Sequence, residues 1–315
     1  MHYSYLLINL LALYIIYFNS MVKKINQNKV LLTGSTGFIG SYFLKNYRKK
    51  LNIKTFSFVS DSISDLNLNR IKTIVHCGAL VHQMNKIPSY NEYFEINVKQ
   101  TINLAKRAKQ NNVKHFVFLS TAKVYGEESN SIFNENSRTN PLDDYARSKL
   151  EAENSLQKIE DENFKISILR LPLVYGPGVK ANFSKLVNLV HLLPILPFGN
   201  ITNKRSMVFI GNLNDVLFRI ICMEKNGIFI VKDDESLSTT HLIRLIGKTI
   251  NKRLYLFHFP FLNLLIKKIK PNYYKRLFMS LELDNSLTLN SLNINKNKFS
   301  NKIALKKTLI DYYVR

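Results

Sequence analysis

The sequence predicts an α/β fold, a doubly wound parallel sheet with a smaller C-terminal lobe. Two observations carry that expectation. From residue 29 onward, short apolar runs alternate with amphipathic stretches, as parallel strands do when helices cover both sheet faces. The first apolar run (Val30, Leu31, Leu32) passes directly into a glycine triplet, Gly34, Gly37 and Gly40, that opens a helix. With 315 residues, 46% of them apolar, the chain can hold one large domain and a lobe. The expected division is an apolar extension over 1–20, a dinucleotide-binding domain over 21–175 and a substrate lobe over 176–315. Some strands and helices of that lobe are expected to return to the main sheet.

Each glycine has a use. One turns the chain, one lets a pyrophosphate reach the backbone, and one lets the helix pack on the strand. The first N–H groups of that helix and its positive end then hold the phosphate. The helix is expected over 38–50 and the second strand over 53–59. Asp61 ends that strand about twenty residues past the glycine turn, where an acid can bind a ribose hydroxyl. A solvated turn aspartate is the competing reading. A third strand spans 71–76, and the segment before it is too short for a full crossover helix, so the sheet is trimmed there. An amphipathic helix follows over 92–110, with Phe94, Val98, Ile102 and Ala105 on one stripe. The strand at 113–119 delivers Ser120 and Thr121 at the sheet edge where ligands bind. Asp143 or Asp144 caps the next helix, and 165–171 is a further strand. After Pro172 the alternation weakens into loops and short helices. Segments 207–210 and 228–231 read as strands that rejoin the sheet or extend the lobe.

The formal charge of +23 is spread over the chain as lysine interleaved with asparagine. No basic-aromatic strand pattern accompanies it, so no nucleic-acid partner is expected. Cys77 and Cys222 are the only cysteines; they form no disulfide framework and point to a reducing compartment. No metal site is expected. Residues 3–18 are strongly apolar but short for a bilayer crossing, and Lys23 and Lys24 follow them. Two readings stand: a membrane-associated extension that keeps the domain on the cytoplasmic side, or a true start at Met21. The basic, apolar run 252–275 is expected to pack as helices in the C-terminal lobe, with an anionic lipid surface as the alternative.

Tyr145 and Lys149 stand four residues apart on one helix face. A nearby cation favours the phenolate, so the pair is expected to give a tyrosine able to move a hydroxyl proton near neutral pH. Ser120 or Thr121 would share the substrate oxygen.

Taken together, Gly34-x-x-Gly37-x-x-Gly40, the run from Ser120 and Thr121 to Tyr125 and Gly126, and Tyr145-x-x-x-Lys149 resemble the extended short-chain dehydrogenase/reductase superfamily. The stretches 171–177 and 205–215 resemble its nucleotide-sugar epimerase/dehydratase branch, and the resemblance spans 29–304. It implies a Rossmann-type fold, bound NAD with NADP also open, a nucleotide-diphosphate sugar as substrate and a homodimer. It implies Tyr145 as base, Lys149 beside it, and Thr121 with Ser120 as hydroxyl partners. The cofactor residues it implies are Gly34, Gly37, Phe38, Ile39, Gly40, Asp61, Asp65, Leu66, Cys77, Gly78, Ala79, Lys149 and Pro172. Asn97 matches the helix asparagine that supports the active site at the substrate, and Asn182 and Arg205 match positions that contact the sugar diphosphate. One departure is informative. Dehydratases of this branch carry Asp-Glu after the residue matching Thr121, and here Ala122 and Lys123 stand there. The expected reaction is therefore 4-epimerisation of a UDP- or dTDP-sugar for surface polysaccharide. A 4-keto-sugar reductase is the second reading, and a non-catalytic membrane-peripheral protein on the same fold the third. The expected location is the cytoplasm, at the inner face of the membrane.

Overall fold

The computed structural model describes residues 29–81, 88–128 and 131–310. The extension at 1–20, Met21 and the two lysines after it lie outside them. Strand β1 (Lys29–Thr33) leads through the glycine turn into α1 (Phe38–Tyr47), followed by β2 (Asn52–Phe56) and β3 (Ile71–His76). A capping box at Ser89 and Glu92 starts α2 (Tyr90–Tyr93), which runs through a π-helical segment, Phe94–Lys99, into α3 (Gln100–Gln110). Next come β4 (His115–Thr121), α4 (Asp144–Gln157), β5 (Lys165–Leu171), β6 (Leu173–Tyr175), α5 (Ala181–Leu192) and β7 (Ile195–Leu196). The chain closes with β8 (Met207–Phe209), α6 (Ile210–Met223), β9 (Gly227–Ile230), α7 (Thr239–Thr249), β10 (Tyr255–Leu256), α8 (Leu262–Ile269), α9 (Pro271–Phe278), α10 (Ser286–Ser291) and α11 (Asn301–Thr308).

The main sheet is parallel, in the order β2-β1-β3-β4-β5-β9. Alternate residues along a strand face opposite sides, and each side has its own core. Val30, Leu32, Val75, Val117 and Leu169 meet Phe43 and Tyr47 of α1 and Leu213, Leu217 and Ile220 of α6. Leu31, Ile74, Phe116, Ile166 and Ile168 meet Leu104 and Ala108 of α3 and Ala152 and Leu156 of α4. The sheet is trimmed where the short segment after β2 predicts it: only a 3-10 turn, Ile63–Asp65, stands between β2 and β3.

β9 joins the main sheet beside β5, whereas β8 pairs with β6 outside it. Asp233 ties this second sheet together, accepting from Tyr175 Oη at 2.7 Å, the Phe209 amide at 2.9 Å and Asn212 Nδ2 at 2.8 Å.

Two expectations need correction. The stripe Phe94, Val98, Ile102 and Ala105 is only half right: Phe94 and Ile102 are half-buried, while Asn97 and Thr101 turn inward. The π segment inserts an extra residue per turn and rotates the face that a regular helix would present. The run 252–275 packs in the lobe only in part: Leu254 and Leu256 meet its core, and β10 pairs with β7. The run then forms α8 and α9, broken at Pro271, and Leu264, Leu265 and Ile269 are exposed.

Candidate active site

Strand order reverses between β1 and β3, and their C-terminal ends open a crevice there. Gly34 holds φ +66°, and a Cβ on it would lie 2.6 Å from the Gly78 nitrogen. A Cβ on Gly40 would lie 2.3 Å from the Gly34 carbonyl oxygen. Packing alone demands glycine at both. At Gly37 it does not: the added carbon would meet only the Gly34 oxygen, at 3.3 Å. Gly37 also caps α1 with no side-chain hydrogen bond, and the first turn of α1 holds no acid. The exposed helix start therefore offers N–H donors and the positive dipole end to an incoming anion. These features fit a dinucleotide pyrophosphate. Phe38 and Ile39 begin α1 with their side chains turned into the cores of the lobe and the sheet.

Buried hydrogen bonds lock the crevice wall. The His76 ring joins Thr33 Oγ1 at 2.6 Å to Thr101 Oγ1 at 3.0 Å, and burial holds its pKa down to about 3, so it stays neutral. Gly78 donates its amide to Thr33 Oγ1 at 3.4 Å. Cys77, Gly78 and Ala79 are half-buried along the wall, and burial pushes the Cys77 thiol up to about 12. That leaves Cys77 an inert thiol.

Helix α4 carries the predicted pair. Asp143 caps it, accepting the Ala146 amide at 2.7 Å, and Tyr145 sits one turn before Lys149. Tyr145 is half-buried and its ring lies 6.0 Å from that of Tyr93. Lys149 is buried, with Nζ 3.8 Å from the centre of the Phe118 ring. Burial lowers its pKa to about 7, against the raising effect of Glu153 and Cys77. The expected acidification of the phenol is therefore not found in this geometry. Burial, then the Asp143 carboxylate and Tyr93, raise Tyr145 above its ordinary value. Lys149 faces the sheet across Phe118, and a desolvated ammonium that half-titrates near neutrality does little to stabilise a phenolate.

Ser120 and Asn97 both bond to neighbouring segments of the protein. Ser120 donates to Glu153 on α4, which commits its proton there; strand alternation turns Ser120 one way and Thr121 the other. Thr121 stays at the edge, accepting the Lys123 amide at 3.3 Å. Asn97 is buried, taking the Leu80 amide at 2.8 Å and donating to Leu80 O at 3.0 Å and Ser148 Oγ at 3.1 Å. It positions the crevice loop against α4, the supporting role that the resemblance implies.

The remaining candidates divide. Asp61 lies just beyond the C-terminal end of β2, but its oxygens accept from the Ser57 amide and the Ser60 hydroxyl, which lower its pKa. Asp65 is exposed, whereas the Leu66 side chain is buried in the sheet core. Pro172 is buried between β5 and β6, and Asn182 is exposed on the first turn of α5. Arg205 donates from Nη1 to the carbonyls of Lys275 at 3.1 Å and Met279 at 2.9 Å, at the end of α9. Burial lowers its pKa to about 10.

Several positions escaped the motif reading. Glu153 Oε2 takes Arg170 Nη2 at 2.7 Å and Nε at 3.0 Å, while Arg170 Nη1 donates to Tyr125 Oη at 2.8 Å. A signal existed for both: Glu153 extends the Tyr145/Lys149 spacing by another turn, and Arg170 is a charge set among apolar residues in the second half of β5. Lys123 bridges Glu127 at 2.7 Å and Asp143 at 2.5 Å, and so ties the turn after β4 to the cap of α4. Glu127 stands four residues from Lys123, but nothing local predicts the bridge to Asp143, twenty residues on.

A parallel sheet with an open glycine turn at its switch point, and a tyrosine-lysine helix at the same edge, defines the Rossmann-type dinucleotide-binding class. The chain belongs to the NAD dependent epimerase/dehydratase family, whose model matches residues 30–231. It is 36% identical to a UDP-glucose 4-epimerase of Vibrio cholerae, over 71% of this chain and 76% of that protein. It is 25% identical to the N-acetyl-alpha-D-glucosaminyl-diphospho-ditrans,octacis-undecaprenol 4-epimerase of Escherichia coli O157:H7, over 75% of this chain and 76% of that one. In fold it resembles UDP-glucuronic acid 4-epimerase from Bacillus cereus, solved with NAD. The TM-score is 0.71 at 20% identity, covering 90% of this chain and 99% of the other.

Proposed function

We propose that the protein is an NAD-dependent 4-epimerase of a nucleotide-diphosphate sugar, acting in the cytoplasm as a homodimer in surface-polysaccharide synthesis. One observation carries this reading: Tyr145 and Lys149 stand on α4 at the sheet edge where Gly37 leaves the start of α1 open to a pyrophosphate. NAD would supply a hydride acceptor, and on the return step the hydride donor, at C4 of the sugar. Gly34, Gly37 and Gly40 shape its pyrophosphate site, and Cys77 to Ala79 form the adjoining wall.

The chain's own part is proton transfer and orientation. Tyr145 Oη takes the proton of the C4 hydroxyl as that carbon is oxidised and gives it back on reduction to the other stereochemistry. Thr121 hydrogen-bonds the same oxygen. Lys149, one turn further along α4, would hold the nicotinamide ribose. Asn97, through Ser148, and Lys123, through Asp143, fix the position of α4. Elimination of water would need a carboxylic acid after Thr121. Ala122 provides none, and the Lys123 ammonium is already bridged to two carboxylates.

A second reading follows from Arg205, a matched sugar-diphosphate position, holding the end of α9. The exposed apolar surface of α8 lies on the same hairpin, which favours a diphosphate sugar carried on a lipid, the kind of molecule named in the Escherichia coli relative. The test is incubation of the purified protein with UDP-sugars, dTDP-sugars and a polyprenyl-diphosphate sugar, each with and without added NAD(P)H. Interconversion of C4 epimers without consumption of nicotinamide is expected. Stoichiometric consumption with a 4-keto substrate would replace epimerase by reductase.

A further inference from the structure

Between Glu235 and Glu282 the chain contains no carboxylate. The middle of this stretch forms α8 and α9. Phe261, Leu264, Leu265 and Ile269 recur at the spacing of one helix face, and that face is turned to solvent. Leu264 is 60% and Ile269 61% exposed, with Phe261 at 68%. Phe257 and Phe259, in the preceding segment, are exposed as well. A scattered exposed leucine needs no explanation, but a contiguous apolar face on a surface helix marks an interaction surface. Its surroundings decide the partner. Arg253, Lys267, Lys268 and Lys270 are all exposed. A second copy of this chain would bring the same acid-free strip against itself, on a molecule of formal charge +23. A surface that is apolar inside and anionic outside matches both features, and a phospholipid bilayer with acidic headgroups is such a surface.

We propose that α8 and the aromatic segment before it dock this protein on an anionic phospholipid membrane. The apolar face enters the headgroup–acyl boundary, and the flanking cations meet lipid phosphates. Arg205 clamps the last carbonyls of α9, so the docked hairpin sets the proposed diphosphate site beside the bilayer. This last step rests on the function proposed above; the docking does not.

The experiment uses the full chain and sedimentation with vesicles of phosphatidylcholine, alone or with roughly a third phosphatidylglycerol. Binding is expected only with the acidic lipid and falls as salt rises. Leu264→Asp with Leu265→Asp, and separately Lys267→Glu with Lys268→Glu, are each expected to lower partitioning about tenfold. Melting curves and turnover of a soluble nucleotide sugar are expected to stay unchanged. Loss of vesicle binding with retained turnover therefore separates the docking from the catalytic reading. Four results would overturn the proposal: equal binding to neutral vesicles, no binding to either kind, acidic-vesicle binding that survives both variants, as when residues 3–18 carry it, or light scattering showing a dimer that the Leu264 variant dissociates while vesicle binding persists.

Discussion

The sheet edge around α4 and the α8–α9 hairpin use the same residue types in opposite ways. At the sheet edge, charges are buried and partnered: Glu153 grips Arg170, and Lys149 lies against Phe118. On the hairpin Leu264 and Leu265 are exposed, and so are Lys268 and Lys270. A buried charge persists only where neighbours are built around it, so the first region must be rigid. An exposed apolar face persists only where something outside the fold covers it. The first region reads as a site for chemistry and the second as a site for contact.

The largest expected effect tests the chemical half of that contrast. Tyr145→Phe should lower kcat about a thousandfold while leaving the melting temperature close to that of the parent; steady-state turnover and calorimetry read the two. Breaking the buried pair comes next. Glu153→Leu alone strands the Arg170 guanidinium and should destabilise by about 3–5 kcal/mol in urea unfolding. The double variant Glu153→Leu, Arg170→Met should recover most of that. Leu264→Asp on the hairpin should change stability by less than about 0.5 kcal/mol, and a larger loss would mean that this face is packed after all.

A third comparison lies within the glycine turn. Gly40→Ala forces a Cβ against the Gly34 carbonyl and should destabilise by about 3 kcal/mol. Gly37→Ala meets only one atom, at 3.3 Å, so it should leave stability nearly intact and weaken NAD binding measured by titration calorimetry. The smallest effect is a pH slope. The folded pKa of Lys149 is about 7, below its ordinary value, so above pH 7 the unfolded chain holds a proton that the folded chain has released. Stability should therefore rise with pH across that window. Urea midpoints at about pH 7 and pH 9 should differ in the parent, and Lys149→Met should remove this part of the difference.

Strand and helix placement was readable because sheet burial writes an alternation into neighbouring residues. The strands at 71–76 and 165–171, a helix cap at Asp143 or Asp144 and the trimmed crossover all follow from local pattern. The family was readable for a related reason: the glycine triplet, Thr121 and the Tyr145/Lys149 pair keep fixed spacings within single elements. Which way a side chain turns at the end of a strand, and what a charge meets there, depends on segments far apart in the chain. Only the folded molecule therefore decided that Ser120 goes to Glu153, that a π turn carries Asn97 inward, and that burial raises the Tyr145 phenol. The same holds for α8. Its composition suits a packed helix equally well, and exposure depends on whether another element arrives to cover it.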